Sequence, residues 1–209
     1  MAKSFDDLPF NARPDLTPYL IHLTRRSGSG TKRYSGYQNL RRILKHGTIW
    51  GSTSKGFVRG PNSAACFMDV PLASLKYVLT PENTDPEMPR YEPYGILVTK
   101  PTAYRKGCRP VLYLSTDESD DLSIPKAELW RVVRFEVRDD DDWVSWLHER
   151  EWRCKGDFKL PKSPLVAFVK NSKEAEKLMT ELVAHPNRFQ SHPRAVVPLS
   201  VLCQGFLPK

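Results

Sequence analysis

The chain lacks several features by which whole classes of protein are recognised. Its first ten residues, MAKSFDDLPF, contain no apolar core of signal-peptide length. No apolar run approaches the roughly 20 residues that a membrane span requires, and no repeat or low-complexity tract is visible. These absences argue against a secreted, membrane-spanning or repeat protein, and we expect one cytoplasmic domain that covers residues 1–209.

Closely spaced cysteines are also missing. The four cysteines are widely scattered, and none belongs to a CxxC pair of the kind that marks many zinc sites. Without a secretion signal, thiols are expected to stay reduced. The sequence therefore predicts free cysteines and no metal site.

The chain does contain an excess of positive charge. Lys and Arg total 32 against 24 Asp and Glu, which gives a net charge of +8, and 40% of the residues are apolar. The apolar share is typical of an ordinary folded protein, while the charge favours an anionic partner such as nucleic acid or a phosphate-bearing ligand. Many basic proteins bind neither, so charge alone identifies no partner.

The order of local patterns predicts an α+β fold. YQNLRRILKHG predicts a helix closed by Gly47, DDDDWVSWLHE a helix led by aspartates, and NSKEAEKLMTELVAH a helix capped by Ser172. Short apolar runs bounded by turn signals predict strands, and RAVVPLSVLCQGF predicts an edge strand because Pro198 has no amide hydrogen. RRSGSGTKRYSG and TIWGSTSKGFVRGPNS predict polar loops.

Two short stretches carry the residues of chemical interest. In YLIHLTRR, strand alternation places Leu20, His22 and Thr24 on one face, so His22 is either a satisfied structural group or part of a site. In HEREWR, the same alternation places Glu149 and Glu151 on one face with an arginine. This second pattern indicates either a catalytic carboxylate beside polar partners or a salt-bridged edge strand.

Together these motifs resemble the opening and the late strand of DarT-type ADP-ribosyltransferases. That family has a histidine-bearing strand, a helix like NLRRILKHG, an arginine in the next loop and a glutamate that opens a late strand. CFMDVPL, YGILVTK, VLYL and HEREWR are further similar to the AbiGi group of bacterial abortive-infection proteins, which implies a setting in phage defence. The resemblance covers about residues 19–160, and 161–209 would be a strand–helix–strand appendage of the same domain.

The resemblance implies a split, mostly antiparallel sheet with flanking helices around an NAD cleft. It also implies a toxin-type or antiviral enzyme that transfers ADP-ribose from NAD to nucleic acid, with a neutralising antitoxin as a further partner. His22 matches the histidine that holds the nicotinamide ribose, and Arg59 the arginine that grips the pyrophosphate. Thr24 would contact the amide or the ribose, or be structural, and Tyr77 would flank the nicotinamide ring.

The catalytic roles follow from the same resemblance. Glu151 matches the catalytic glutamate, which stabilises the positive charge that develops on the ribose. Glu149 matches the member of an ExE pair that helps to orient or deprotonate the acceptor. Further candidates are the phosphate-binding residues Arg25, Arg26, Lys32 and Arg33 and the aromatic residues Phe67 and Tyr113.

Two other classes of function stay open. The first is a nucleic-acid-binding protein without NAD chemistry, although no zinc-finger, RRM or KH signature is present. The second is a metal-dependent nuclease of a phage-defence system that uses Asp69 and Glu151. A chelator would abolish nuclease activity and leave ADP-ribosyl transfer intact.

Overall fold

The computed structural model of the protein describes residues 13–29, 32–54, 57–85, 87–139, 142–204 and 207. The strands, numbered along the chain, are β1 (Tyr19–Leu23), β2 (Ser27–Ser29), β3 (Lys32–Tyr34), β4 (Thr48–Ile49), β5 (Ala64–Met68), β6 (Gly95–Thr99), β7 (Arg109–Pro110), β8 (Leu112–Leu114), β9 (Val132–Arg134), β10 (Glu136–Val137), β11 (Trp143–Val144), β12 (Glu151–Lys155), β13 (Phe158–Lys159), β14 (Val166–Val169) and β15 (Ala195–Pro198). The α-helices are α1 (Gly36–His46), α2 (Leu75–Val78), α3 (Lys100–Arg105), α4 (Thr116–Asp121), α5 (Ser172–Ala184) and α6 (Leu199–Leu202).

A seven-stranded sheet with the order β15-β14-β6-β1-β5-β12-β7 forms the centre of the described structure. Its strands pair antiparallel except β14 and β15, which are parallel. The predicted α+β fold with a mostly antiparallel sheet is therefore confirmed. β1 and β6 share five registered pairs, whereas β1 and β5 share one, Ile21 opposite Met68. The sheet is thus split between β1 and β5.

Alternation along β1 places apolar residues on both faces of this sheet. Leu20 packs in a cluster with Leu40 and Leu44 of α1, while Ile21 packs in a second cluster with Phe168 on the opposite face. Leu20 and Ile21 are both fully buried. Burial of each such side chain contributes about 1.5–3 kcal/mol, so β1 is held firmly from both sides.

The helices predicted over YQNLRRILKHG and NSKEAEKLMTELVAH are confirmed as α1 and α5. Ser35 and Gln38 form a capping box at the start of α1, and Gly47 closes the helix in the left-handed conformation with φ 57°. In α5 the N-cap is Asn171, whose side chain accepts from the Glu174 amide, rather than the predicted Ser172. The predicted edge strand is confirmed over Ala195–Pro198, which form β15 at one end of the sheet order. It ends there, because Leu199–Leu202 form the helix α6, and residues 205–206 of the predicted run lie outside the described ranges.

The helix predicted over DDDDWVSWLHE is wrong. Trp143 and Val144 instead form β11, which pairs with β10 through Val137 opposite Trp143. Asp142 is bonded across this hairpin to Arg138 at 3.2 Å. Alternating aromatic and β-branched residues favour a strand, and here they outweigh the tendency of the aspartates to begin a helix.

The two predicted polar loops contain short strands. RRSGSGTKRYSG includes β2 and β3, which pair as a hairpin with Ser27 opposite Tyr34, and residues 30–31 of this segment lie outside the described ranges. In the second segment, β4 pairs with β13, and residues 55–56 also lie outside those ranges. No helix among the described residues combines the length and the apolar character needed to cross a bilayer.

Candidate functional site

A cavity of about 520 Å³ opens where β1 and β5 diverge, and we call it the β1–β5 cavity. Side chains from both faces of β1 line it, including Ile21 and His22, together with residues of β5 and β12. Because consecutive side chains of a strand point to opposite faces, both can line one cavity only along the strand's edge. The split in the sheet therefore creates the cavity, whose volume is within the range that holds small-molecule ligands.

The His22 side chain forms a hydrogen bond between β1 and β5, where backbone pairing is limited to one registered pair. Its Nδ1 lies 2.9 Å from the Cys66 carbonyl oxygen. Since a carbonyl only accepts, Nδ1 carries the hydrogen and Nε2 is left as an acceptor. Burial lowers the pKa of His22, although the hydrogen bond to Cys66 opposes this effect. The imidazole is therefore neutral near pH 7 and offers Nε2 to a hydroxyl donor.

Thr24 also lines the β1–β5 cavity, but its hydroxyl hydrogen is used by the backbone. Oγ1 donates to the carbonyl oxygen of Gly36 at 2.9 Å, with the Tyr94 carbonyl at 3.3 Å. The side chain thereby ties the end of β1 to the start of α1. This arrangement favours the structural alternative for Thr24.

Glu151 and Arg153 form a buried ion pair on one face of β12, as alternation predicts. Arg153 donates from Nε to Oε1 at 2.8 Å and from Nη2 to Oε2 at 3.0 Å, and the two side chains are only 2% and 9% exposed. Nη1 of Arg153 donates to the Trp130 carbonyl at 2.9 Å. The Glu151 amide donates to the Tyr113 hydroxyl at 2.9 Å. The Glu151 carboxylate is therefore fixed in place and charge-compensated.

The predicted strand alternation does not extend back to Glu149. Leu147–Glu149 form a 3₁₀ turn, and Arg150 follows with a left-handed φ of 42°. The Asp69 amide donates to the Glu149 carbonyl at 3.2 Å, and Arg150 Nε donates to the Asp69 carbonyl at 2.9 Å. This chain reversal, held by Asp69, brings Glu149 to the same cavity as Glu151.

Glu149 has different partners from Glu151. The Tyr91 hydroxyl donates to its Oε1, and Arg90 Nε lies 4.0 Å from the same oxygen. The Arg90 guanidinium carbon lies 4.0 Å from the centroid of the Trp146 ring, a cation–π geometry. These four residues form one wall of the β1–β5 cavity.

Arginines give the cavity an excess of positive charge. Its lining includes five of them: Arg25, Arg42, Arg90, Arg134 and Arg153. Arg134 pairs with Glu136, outside the lining, and Arg153 with Glu151. Arg42 lies over the rings of Tyr34 and Trp50 at 4.1 and 5.1 Å. Within the described ranges neither Arg25 nor Arg42 pairs with a carboxylate, so no ion pair compensates their charge. Arg42 Nη1 donates to Asn39 Oδ1 at 3.2 Å.

Arg59 and Tyr77, which the resemblance assigns to the NAD site, do not line the cavity. Arg59 follows the lining residue Val58, and its Nη1 is buried with no hydrogen-bond partner in the described part of the chain. Tyr77 lies on α2, is 71% exposed, and contacts Lys76. The structure therefore brings His22, Thr24, Glu149 and Glu151 together at the cavity and leaves Arg59 and Tyr77 outside its lining. Arg26 and Arg33 are exposed, and the side chain of Lys32 lies outside the described part.

Sequence reasoning missed Arg90, Tyr91 and Trp146. The first two lie in a proline-bearing stretch, 81–94, with neither helical nor strand periodicity, and Trp146 lies in the segment predicted as a helix. Tyr91 and Glu149 are 58 positions apart. Only the tertiary fold joins them.

The nuclease alternative relied on Asp69. In the structure, Asp69 Oδ2 accepts from Lys100 Nζ at 2.7 Å and from Trp152 Nε1 at 3.3 Å. Asp69 is also absent from the lining of the β1–β5 cavity. The described residues contain no group of three or more His, Cys, Asp or Glu arranged to hold a metal ion.

No family model matches this chain, and no curated protein does. Among solved structures, one described as Thermus sp. 2.9 DarT in complex with NAD+ is similar over 88% of this chain and 96% of that chain, with 13% identity and a TM-score of 0.49. The same protein in complex with carba-NAD+ has the same identity and coverage and a TM-score of 0.47. This remote likeness identifies no individual side chain, and the resemblance to AbiGi proteins stays a prediction.

Proposed function

We propose that the protein is an NAD-dependent ADP-ribosyltransferase that modifies nucleic acid. The observation that carries this proposal is the meeting of His22, Glu149 and Glu151 at one cavity whose lining has more arginines than carboxylates. A neutral hydrogen-bond acceptor, two carboxylates in different settings and free guanidinium groups are what the reaction requires. The proposed setting, a toxin-type or antiviral enzyme with a neutralising partner, rests on the sequence resemblance.

The residues present fit NAD by their chemistry. The pyrophosphate needs cationic donors, and Arg25, Arg42 and Arg90 line the β1–β5 cavity. The buried Nη1 of Arg59, next in sequence to the lining residue Val58, has no partner among the described residues, and an unsatisfied buried donor is costly until it gains an acceptor. NAD, when bound, supplies the ADP-ribosyl group and releases nicotinamide. His22 Nε2 would then accept from a ribose hydroxyl.

In this proposal Glu151 stabilises the positive charge that develops on the ribose. Arg153 holds the Glu151 carboxylate, and the Tyr113 hydroxyl accepts from the Glu151 amide. Little reorganisation is therefore needed when charge appears on the ribose. Preorganised charge in a site that excludes water is a large source of rate acceleration. Arg153 also compensates the cost of burying Glu151.

Aromatic rings at the cavity suit a nucleic-acid acceptor. Trp50 and Phe57 line the β1–β5 cavity and are 43% and 72% exposed. Exposed rings beside cationic side chains are a common way to stack bases and hold the backbone of single strands. The exposed Arg26 and Arg33 extend the positive charge along the β2–β3 hairpin.

The test is incubation with NAD labelled on the ADP-ribose, with separate pools of DNA, RNA and cell protein. We expect label in a nucleic-acid pool and release of nicotinamide, both unaffected by chelator. Label in the protein pool alone would contradict the proposed acceptor. A ligand that binds only the native state raises the stability of the protein, so millimolar NAD should stabilise it in a calorimetric experiment. Folded protein that shows no NAD binding under these conditions would remove NAD from the proposed function.

A further inference from the structure

Tyr91 is held rigidly beside Glu149. Its amide and that of Arg90 donate to the Asn83 carbonyl at 3.0 and 2.9 Å. Its side chain packs against the apolar cluster that contains Leu23, and its hydroxyl donates to Glu149 Oε1. The phenol thus reaches the cavity from a fixed backbone position.

The Tyr91 hydroxyl is a permanent donor at neutral pH. Burial raises the pKa of Tyr91, and the negative charge of Glu149 and the hydrogen bond to it raise this pKa further. The phenol therefore keeps its proton and donates it to Oε1 of Glu149. Arg90 Nε lies 4.0 Å from the same oxygen.

Only one oxygen of Glu149 is engaged in this way. In the described part of the chain, Oε2 of Glu149 has no hydrogen-bond partner, and its side chain is 16% exposed. Glu151 differs, because Arg153 occupies both of its oxygens. Glu149 is therefore the carboxylate at this cavity that can still accept a hydrogen bond from an incoming group.

We propose that Tyr91 is a positioning residue for acceptor activation: it holds Oε1 of Glu149 so that Oε2 receives the proton of the acceptor. This inference rests on the proposed ADP-ribosyl transfer. In that step the acceptor's O–H or N–H gives its proton to Oε2, and its heteroatom forms the new bond to the ribose carbon. The broken bond to nicotinamide leaves its electron pair on the nicotinamide nitrogen.

The test is a double-mutant cycle that measures transfer to acceptor and release of nicotinamide separately. Tyr91→Phe keeps the ring and removes the hydroxyl, so transfer should fall roughly tenfold, the scale of one hydrogen bond to a charged group. Glu149→Gln should lower transfer about a hundredfold, the scale of removing a general base. If Tyr91 acts through Glu149, the double variant should match Glu149→Gln alone. Because the role assigned to Tyr91 is in acceptor activation, transfer should fall more than nicotinamide release in each variant.

Tyr94→Phe is the matched control. The Tyr94 hydroxyl also donates to a partly buried carboxylate, at Oε1 of Glu174, at 3.0 Å, but neither residue lines the β1–β5 cavity. This variant removes a similar hydrogen bond and should leave both rates unchanged.

Several outcomes overturn the inference. Multiplicative losses in the double variant would show that Tyr91 acts independently of Glu149. Equal losses of transfer and nicotinamide release in Tyr91→Phe would assign Tyr91 to the fold or to NAD binding, and unchanged transfer would leave it without a role. A folded wild-type protein that releases no nicotinamide would instead defeat the proposed function itself, and this role with it.

Discussion

Glu151 and Glu149 are two residues apart and line one cavity, yet their surroundings differ sharply. Both oxygens of Glu151 accept from Arg153, and the two side chains are 9% and 2% exposed. Glu149 has Tyr91 on one oxygen and a long contact to Arg90, with side-chain exposures of 16% for Glu149 and 31% for Arg90. We call these the closed side and the open side of the cavity.

The difference shows how one strand end supplies two kinds of carboxylate. On the closed side, β12 provides both partners at adjacent positions of one face, so the pair is fixed wherever the strand forms. On the open side, the left-handed Arg150 reverses the chain and presents Glu149 to partners from a distant segment. A fixed carboxylate suits charge stabilisation, while an accessible one suits proton transfer.

Removing the cation of each side should give the largest contrast in stability. Arg153→Met leaves Glu151 buried without a partner, and we expect the free energy of unfolding to fall by about 3–5 kcal/mol. Arg90→Met, the matched variant on the open side, should cost about 1 kcal/mol or less because that pair is longer and more exposed. Urea unfolding of both variants measures the difference. Equal losses would mean that the two sides are not distinct.

Removing the charge of each carboxylate should separate their roles in catalysis. Glu151→Gln should lower nicotinamide release about a hundredfold or more, with little change in NAD affinity because the interaction it removes is strongest in the transition state. Glu149→Gln should spare nicotinamide release and lower transfer. Release kinetics and calorimetry, on variants shown to be folded by near-ultraviolet circular dichroism, provide the measurement. A folded Glu151→Gln protein with full activity would make HEREWR a salt-bridged strand only.

The closed side was largely predictable from the sequence, and the open side was not. Strand alternation in HEREWR relates Glu151 to Arg153 without any tertiary information, and the pair is observed on one face of β12. The position of His22 on β1 followed from the same period. Local periodicity is sufficient where both partners lie on one element.

The open side depends on contacts that no local pattern encodes. Glu149 reaches the cavity through a 3₁₀ turn and a left-handed residue rather than a strand, and Arg150 is not a residue type that signals this conformation. Tyr91 comes from a segment without periodicity. The position of Arg59 outside the cavity lining depends on the loop between β4 and β5, whose course the sequence leaves undetermined.

The basic residues in and just before the β2–β3 hairpin should control the salt dependence of nucleic-acid binding. Replacing Arg25, Arg26, Lys32 and Arg33 with Ala should weaken binding and flatten its dependence on salt, by about 0.7 in logarithmic slope for each phosphate of a single strand that the variant no longer neutralises. Arg138→Ala is the control, since Arg138 is exposed but already paired with Glu136 and Asp142 at 3.1 and 3.2 Å. An unchanged slope in the multiple variant would reduce the basic hairpin to a solvated surface.

The smallest effect is expected at His22, whose imidazole is neutral. It belongs to the closed side because it contacts Cys66, and Cys66 pairs with Arg153 across the sheet. Burial lowers the pKa of His22 in the folded protein below its unfolded value of about 6.5. As the pH falls through that value, the unfolded chain binds a proton that the folded protein does not, so His22 should destabilise the fold under acidic conditions. Urea unfolding between pH 7.5 and 5.5 should therefore show a steeper loss of stability in the wild type than in His22→Gln, whose amide can still donate to the Cys66 carbonyl. The other histidines are shared by both proteins and cancel in the comparison. Equal slopes would mean that the folded protein accommodates a protonated His22. The assignment of a neutral imidazole would then be wrong.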